Sequence, residues 1–233
     1  MTDTCGYFPE SSRCGVQPMT FRIASIQIGS LVSEGNRDSR SIVDRHWTTV
    51  FYKQPVDGPV RLTRLGIKGD RVADTRHHGG PDKAILCYAA SHYERWREDL
   101  PDLEMTGGAL GENLTVQGAD ESSVCIGDSY ELGQCVVQVS QPRQPCWKIA
   151  RRWGIKTLTK TVAQTGRTGW YVRVLQEGSL SPGQLAQLIE RPHPDWTVAR
   201  ANDILFGREV DRMSVMELMQ IEELADAWKS DLA

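Results

Sequence analysis

Short runs of Val, Ile, Leu and Tyr alternate with Gly, Asp and Pro from Phe21 to about Ile189. Short β-branched and aromatic runs bounded by turn residues are typical of a closed or strongly curved β-sheet. The clearest runs are residues 21–28, 60–65, 130–132, 135–139 and 170–175. The pattern therefore predicts a mainly β protein built around a β-barrel.

Helical patterns interrupt the strands in two places, and both helices are expected to lie outside the barrel. Residues 91–94, Ser-His-Tyr-Glu, have the form of a capping box, and Pro101 would end that helix. Residues 147–153 predict a second short helix, because Ile149 and Trp153 lie four positions apart.

The pattern changes after the stiff, Pro-rich residues 191–194. Residues 197–206 predict one helix, and residues 214–217, Ser-Val-Met-Glu, predict the capping box of another. The apolar face that follows is expected to contain Val215, Leu218, Leu224 and Trp228. The chain is thus predicted to have three parts, namely a disordered tail at 1–18, a barrel domain at 19–191 and a helical subdomain at 192–233.

Composition and charge narrow the class of protein. The 27 basic and 30 acidic residues leave a net charge of −3, which is not the footprint of the usual basic nucleic-acid binder. The longest apolar run, residues 84–90, is far shorter than the roughly 20 residues needed to span a bilayer. The N-terminus does not resemble a secretory signal. We expect a folded cytoplasmic protein without nucleic-acid or membrane partners.

Six cysteines are spread along the chain without any Cys-x-x-Cys pair, which argues against a zinc ribbon or an iron–sulfur cluster. Cys87, Cys125 and Cys135 stand in apolar or strand-like contexts, so we expect them to be core residues. Cys146 stands apart from the other five in its surroundings.

Cys146 belongs to the sequence Ser140-Gln-Pro-Arg-Gln-Pro-Cys-Trp-Lys148, which is expected to leave a strand at Val139 and enter a helix. Its two prolines bias the preceding residues toward extended backbone, so the loop should be rigid. A helix N-terminus and the nearby Arg143 and Lys148 favour the thiolate form, which nucleophiles and metal ligands require. A half-buried cysteine in a Pro-rich turn explains these features equally well.

A histidine pair and a glycine-rich loop are two further candidate sites. His77 and His78, inside His-His-Gly-Gly-Pro-Asp-Lys83, cannot easily face one metal together. One histidine beside two glycines indicates either a ligand contact or, more commonly, a surface turn. Residues 107–113, Gly-Gly-Ala-Leu-Gly-Glu-Asn, fit neither a P-loop nor a Rossmann motif. That loop either offers N–H groups to an anion or forms a simple hairpin turn.

Residues 166–173, Gly-Arg-Thr-Gly-Trp-Tyr-Val-Arg, place Arg167 and Arg173 around a turn and a strand. Two arginines in this arrangement are a candidate clamp for a phosphate. The alternative is that both are solvated surface residues.

Taken together, these runs resemble the MOSC-domain proteins of the YiiM type. The resemblance also includes the Ile-Gly-Asp turn at 126–128 and the early segment 53–60, and it extends from about Phe21 to the C-terminus. The helical tail resembles the three-helix appendage of this branch. The matching motifs are residues 66–70, 78–80, 108–113, 126–128 and 140–146.

The resemblance implies a MOSC β-barrel that binds the molybdenum cofactor, a molybdopterin, with Cys146 as the sulfur ligand of the metal. A thiolate is the soft ligand that such a metal accepts. His78 and Asn113 are implied to line the open side of the metal, with His78 as the proton donor. The groups expected to hold the pterin phosphate are Arg143, Arg167, Arg173 and the loop that contains Gly108, Gly111 and Asn113.

Proteins of this type reduce N-hydroxylated compounds such as hydroxylaminopurines, so the resemblance implies an oxidoreductase with a detoxification role. No cysteine follows Cys146, so we expect electrons from a separate flavin or iron–sulfur donor protein; a homodimer is also compatible with the sequence. One alternative is a carrier of the cofactor or of sulfur, without turnover. Another is a metal-free hydrolase or transferase with Cys146 as covalent nucleophile.

Overall fold

The computed structural model describes residues 19–41, 43–71, 79–209 and 211–232. The predicted tail at 1–18 and the side chain of His78 lie outside these residues. Within them, no helix has the length and apolar character needed to cross a membrane.

The described part of the chain is mostly strand, with short helices between strands and at the C-terminal end. Its strands are β1 Thr20–Gly29, β2 Val32–Glu34, β3 Trp47–Thr49, β4 Lys53–Pro55, β5 Val60–Thr63, β6 Gly66–Ile67, β7 Ile85–Ala89, β8 Leu114–Gln117, β9 Ser129–Leu132, β10 Cys135–Pro142, β11 Trp170–Gln176, β12 Gly178–Leu180 and β13 Leu185–Glu190. Its helices are α1 Ser91–Asp99, α2 Lys148–Trp153, α3 Leu158–Thr165, α4 Val198–Leu205, α5 Arg212–Gln220 and α6 Asp226–Ser230, with a 3-10 turn at Pro81–Lys83.

Seven strands form a closed barrel in the order β13-β9-β10-β11-β7-β8-β1, and β1 pairs again with β13. Every neighbouring pair is antiparallel except β7 and β8, which are parallel. Strand β4 adds to the end of β1 that lies beyond the barrel pairing. The predicted mainly β barrel is confirmed.

All five predicted strands are present, and β10 is longer than its prediction. It continues to Pro142, because Gln141 and Pro142 pair with Tyr171 and Trp170 of β11. The expectation that the strand ends at Val139 was therefore wrong. The irregular part of the Cys146 loop is confined to the four residues that follow β10.

The barrel is filled by inward-facing aliphatic and aromatic side chains. Ile23, Val116 and Val139 are completely buried, and burial of one such side chain stabilises the fold by about 1.5–3 kcal/mol. The same hydrophobic cluster extends to Leu218 and Trp228 of the C-terminal helices. The helical subdomain therefore shares a continuous core with the barrel.

Helix positions agree with the sequence pattern better than helix caps do. Helix α1 has no side-chain cap, because Ser91 already lies inside the helix. At α5 the cap is Asp211, whose carboxylate accepts a hydrogen bond from the Ser214 N–H. Both predicted capping boxes were therefore wrong, whereas the helix at 197–206 is confirmed with Thr197 as its cap.

The predicted apolar face beyond Ser214 is divided between two helices, since α5 ends at Gln220 and α6 begins at Asp226. Three C-terminal helices result, as the resemblance implied. Helix α3 was not predicted.

Candidate active site

An open cavity at one end of the barrel collects most of the motifs found in the sequence. The empty space between its walls is about 770 Å³, partly open to solvent, which is within the usual range for small-molecule and cofactor sites. Its walls come from the segments on either side of β4, β6 and β7, from the glycine-rich loop, and from the Cys146 loop. The lining residues are Thr49, Val50, Phe51, Lys53, Leu65, Asp70, Arg71, Gly79, Lys83, Ala84, Leu86, Leu110, Gly111, Asn113, Arg143, Cys146, Lys148 and Tyr171.

The charge of this lining is strongly biased. Among the described lining residues, one side chain is a carboxylate, that of Asp70. Five are cationic, namely Lys53, Arg71, Lys83, Arg143 and Lys148. In a chain with a net charge of −3, such a local excess of positive charge favours an anionic ligand.

Cys146 lies at the cavity wall and is half-buried. Its carbonyl oxygen accepts hydrogen bonds from the Ile149 N–H at 3.1 Å and from the Thr159 hydroxyl at 3.1 Å. The backbone that carries the thiol is thus fixed by α2 and α3. The arrangement presents one accessible sulfur on a rigid support.

The other described cysteines differ from Cys146 in burial. Cys87, Cys125 and Cys135 are buried, as predicted. Burial, together with the nearby Asp128 carboxylate, raises the pKa of the Cys125 thiol to about 11. These thiols stay protonated at neutral pH and belong to the core.

Arg143 is only 3% exposed, yet its guanidinium has no carboxylate partner within the described chain. It donates to the carbonyl oxygens of Leu110 at 3.0 Å and Thr168 at 3.4 Å. Its backbone N–H donates to the Gly169 carbonyl at 3.0 Å. Neutral acceptors orient this cation without cancelling its charge.

Lys148 is a second cation of this kind. It is the first residue of α2, lines the cavity and is 8% exposed. Its ammonium group makes no hydrogen bond or ion pair with another described residue. Lys148 therefore adds a positive charge to the cavity wall, which favours an anionic ligand.

Lys53 and Asp70 form a compensated pair deeper in the wall. The Lys53 ammonium lies 2.6 Å from Asp70 Oδ1, and that oxygen also accepts the Gly29 N–H at 2.6 Å. Burial lowers the pKa of Lys53, and the attraction of Asp70 opposes that effect. This pair contributes structure to the wall and little net charge.

Asn113 holds the same network in place. Its Nδ2 donates to Asp70 at 2.8 Å, and its Oδ1 accepts from the Leu86 N–H at 3.2 Å. Both ends of the amide are therefore engaged by protein groups. Its predicted role at the metal stays a prediction, and the structure adds a role in fixing Asp70.

The glycine-rich loop directs its N–H groups at a carboxylate of the protein itself. Glu112 is fully buried and accepts from the Gly108 N–H at 2.6 Å and the Leu110 N–H at 3.2 Å. Gly108 does not line the cavity, whereas Gly111 does. A Cβ at Gly111 would lie 2.7 Å from the Phe51 ring, so this close packing requires glycine.

Arg167 and Arg173 do not lie among the cavity-lining residues. Arg167 pairs with Asp99 at 2.7 Å and stacks on Trp96, with 4.5 Å between the guanidinium carbon and the ring centroid. Arg173 pairs with Asp82 at 2.8 Å. Both charges are compensated away from the cavity, so their placement lends no support to the predicted phosphate role.

Tyr171 and Lys148 are site residues that the sequence analysis did not assign to the site. Burial raises the pKa of the Tyr171 hydroxyl, although the Arg143 charge opposes the shift. Tyr171 therefore remains a proton-bearing group at neutral pH. The alternation of β11 could have indicated that Tyr171 faces away from the barrel core, on the side opposite Trp170 and Val172.

Comparisons with known proteins agree with this fold. The MOSC domain matches residues 74–186, and the YiiM-like 3-alpha helix domain matches residues 196–233. The Bacillus subtilis protein YflK is 42% identical over 182 residues, which cover 78% of this chain and 82% of YflK. The chain belongs to the MOSC family, in the branch that carries a YiiM-like three-helix domain.

Two further relatives are informative. The crystal structure of YiiM from Geobacillus stearothermophilus is 34% identical with a TM-score of 0.74, and covers 91% of this chain and 100% of its own. A Gibberella moniliformis protein named "Reductase" is 38% identical over 177 residues. That match covers 75% of this chain and only 31% of the reductase.

Proposed function

We propose that this protein is a molybdenum-cofactor-dependent reductase of N-hydroxylated compounds, hydroxylaminopurines among them. The observation that carries the proposal is the combination, in one cavity, of an accessible cysteine with two cations, Arg143 and Lys148, that have no carboxylate partner among the described residues. Membership of the MOSC family supports the cofactor, since MOSC domains are generally associated with molybdenum cofactor binding. The relative named "Reductase" supports the direction of the reaction.

The described residues fit the chemistry of that cofactor. The Cys146 thiolate is a soft ligand of the kind that molybdenum accepts. The Arg143 guanidinium and the Lys148 ammonium suit a pterin phosphate, because both hold positive charge that the protein does not neutralise.

The overall reaction is R-NHOH plus two electrons and two protons, giving R-NH2 and water. The N–O bond breaks and the nitrogen is reduced by two electrons. One proton is added to the nitrogen and the other to the departing hydroxyl, which leaves as water. The bound molybdenum centre would supply the two-electron redox chemistry. The chain itself would orient the substrate, limit the access of water and hold a proton near the departing oxygen.

His78 is the proposed proton donor, although it lies outside the described residues. Its neighbour in sequence, Gly79, lines the cavity. We expect His78→Gln to reduce turnover by about 10²-fold, the usual contribution of a general acid, with bound molybdenum unchanged. Loss of molybdenum from this variant would contradict the assignment.

Electrons are proposed to come from a separate flavin or iron–sulfur protein. The described cysteines other than Cys146 are buried singly and offer no cluster ligands at the cavity. An artificial low-potential donor would replace the partner in assays of the purified protein.

The central test measures molybdenum and pterin content in the wild type and in Cys146→Ala. We expect near-stoichiometric molybdenum in the wild type and at least about tenfold less in the variant. Changing a residue that merely supports a metal ligand already costs about 10- to 100-fold in metal affinity or activity, and Cys146 is the proposed ligand itself. Cys125→Ala is the matched control, since it removes a thiol away from the cavity. Equal molybdenum in wild type and Cys146→Ala would contradict the proposal, and so would reconstituted protein that binds cofactor without reducing a hydroxylamine.

A further inference from the structure

The C-terminal helices contact the cavity loop from the outside. Three hydrogen bonds join the helical subdomain to the segments that carry Cys146 and that hold Arg143. They run from Ala225 N–H to Ser140 O at 2.9 Å, from Gln144 Nε2 to Asp231 Oδ2 at 2.8 Å, and from Asn202 Nδ2 to Thr168 Oγ1 at 2.8 Å.

The third bond begins a continuous path to the Arg143 cation. Thr168 Oγ1 accepts from Asn202 and donates to the Gly169 carbonyl at 3.1 Å. That carbonyl also accepts the Arg143 backbone N–H at 3.0 Å. The Thr168 carbonyl in turn accepts from the Arg143 guanidinium at 3.4 Å. Arg143 contacts three carbonyls. Those of Thr168 and Gly169 belong to the backbone that the Asn202–Thr168 bond holds, and the third is that of Leu110 at 3.0 Å.

We infer that Asn202 is a positioning residue, which fixes the Thr168–Gly169 backbone so that the Arg143 guanidinium is aimed at an anionic group in the cavity. The helical subdomain is then part of the anion site, although none of its residues lines the cavity within the described chain. This inference rests on the proposed function, because it assumes that Arg143 binds an anion.

The burial of Asn202 supports a directional role for its amide. Asn202 and Thr168 are both 0% exposed. The Asn202 Oδ1 atom is buried without a hydrogen-bond partner among the described residues, and such an atom costs free energy. A leucine, whose side chain has the same branching, would avoid that cost. The amide is therefore better explained by the bond it donates than by packing.

The other side of the same backbone is held by a carboxylate. Glu121 is 4% exposed and accepts the Gly169 N–H at 2.6 Å, while its second oxygen lies 2.6 Å from His92 Nε2. Gly169 has a positive φ of 78°, and a Cβ there would collide with the Cys87 carbonyl oxygen. Contacts from Asn202 on one side and from Glu121 on the other therefore fix the Thr168 and Gly169 carbonyls that Arg143 contacts.

The test uses inorganic phosphate as the probe and the cofactor-free full chain. We expect Asn202→Leu and Thr168→Val each to weaken phosphate binding about threefold to tenfold in calorimetry, the effect of one lost hydrogen bond. Asp203→Asn is the matched control, because Asp203 is the next residue of α4 and pairs with Arg208 at the surface. Its phosphate affinity should equal that of the wild type. Thr168→Val tests the same path if Asn202→Leu does not fold.

A double-mutant comparison separates positioning from general loss of structure. Arg143→Lys removes the guanidinium fork, so Asn202→Leu added to it should weaken phosphate binding no further. A further loss in the double variant would overturn the path through Arg143. Equal binding by wild type and Asn202→Leu would overturn the positioning role alone. Failure of the wild type to bind phosphate would instead contradict the proposed anion site, and with it this inference.

Discussion

Two arginines of this protein, the buried Arg143 and the partly buried Arg191, lie in opposite electrostatic settings. Arg191 donates to both oxygens of Asp128, at 2.8 and 2.6 Å, and Asp128 is completely buried. Hydrogen bonding to that carboxylate raises the pKa of Arg191 above its ordinary value. Arg143 is more buried than Arg191 and is held by backbone carbonyls.

This difference indicates that the charge of Arg191 is structural, whereas the charge of Arg143 is available to a ligand. Asp128 also accepts from the Cys125 N–H and the Tyr130 hydroxyl, so the Arg191 pair closes a complete network beneath the barrel strands. Around Arg143 the nearest acceptors are neutral, and the cation faces the cavity with Lys148. A buried arginine without a carboxylate is therefore a stronger indication of an anion site than an arginine in a glycine-rich motif.

The largest expected effect on stability is that of Arg191→Leu. The change leaves the Asp128 carboxylate buried without its cation, which typically costs about 3–5 kcal/mol in a fully buried pair. We expect about 2–3 kcal/mol, since the Arg191 side chain is 27% exposed and water reaches it. Urea denaturation measures the loss, and phosphate binding should be unchanged. Arg208→Leu, which breaks a more exposed pair, should cost less than about 1 kcal/mol. Equal losses in the two variants would remove the distinction.

Arg143→Leu should have the opposite effect to Arg191→Leu, with a large loss of phosphate binding and a small change in stability. We expect phosphate binding to weaken by about tenfold or more, because a hydrogen bond to a charged group contributes about 1.5–3 kcal/mol. The free energy of unfolding should change less than in Arg191→Leu, since relief of a desolvated charge offsets the two carbonyls left without a donor. Calorimetry and urea denaturation check the two parts. If Arg173→Leu weakened phosphate binding instead, the phosphate clamp predicted from the sequence would be right and this comparison wrong.

The same contrast explains what the sequence could predict. The strands of the barrel and the rigid Cys146 loop depend on local patterns, such as β-branched runs and the prolines at 142 and 145. Their prediction needs no knowledge of distant residues. Burial of Cys87, Cys125 and Cys135 also follows from the residues around them.

The charge partners could not be predicted, because they are remote in sequence. Arg173 meets Asp82, which lies 91 residues away, and Arg167 meets Asp99, 68 residues away. The local sequence does not distinguish these two paired arginines from Arg143, which has no carboxylate partner. The predicted cap at Ser214 failed for a local reason, because Asp211 has extended backbone and its carboxylate accepts the Ser214 N–H, so the helix begins three residues earlier. The contact from Asn202 to Thr168 likewise joins two segments that no local pattern connects.

The smallest expected effect concerns the join between barrel and helices, where His193 Nε2 lies 2.8 Å from Glu223 Oε2. Burial alone would raise the pKa of Glu223, but the hydrogen bond and charge of His193 outweigh it, and the pKa is lowered from 4.5. The folded state therefore favours the carboxylate. Its contribution to stability is fully present above about pH 4.5 and is lost as the pH falls through the lower folded pKa.

Glu223→Gln should consequently destabilise the protein by about 0.5 kcal/mol at about pH 6, the usual size for a partly exposed pair. The difference from the wild type should disappear in acid, because protonation of Glu223 removes the same charge. Thermal unfolding at several pH values measures both. Glu222→Gln, at the exposed neighbouring position, controls for the loss of one negative charge. A pH-independent difference for Glu223→Gln would show that Glu223 stabilises the protein through packing. The His193–Glu223 pair would then not be an electrostatic contact of the kind that Arg191 makes with Asp128.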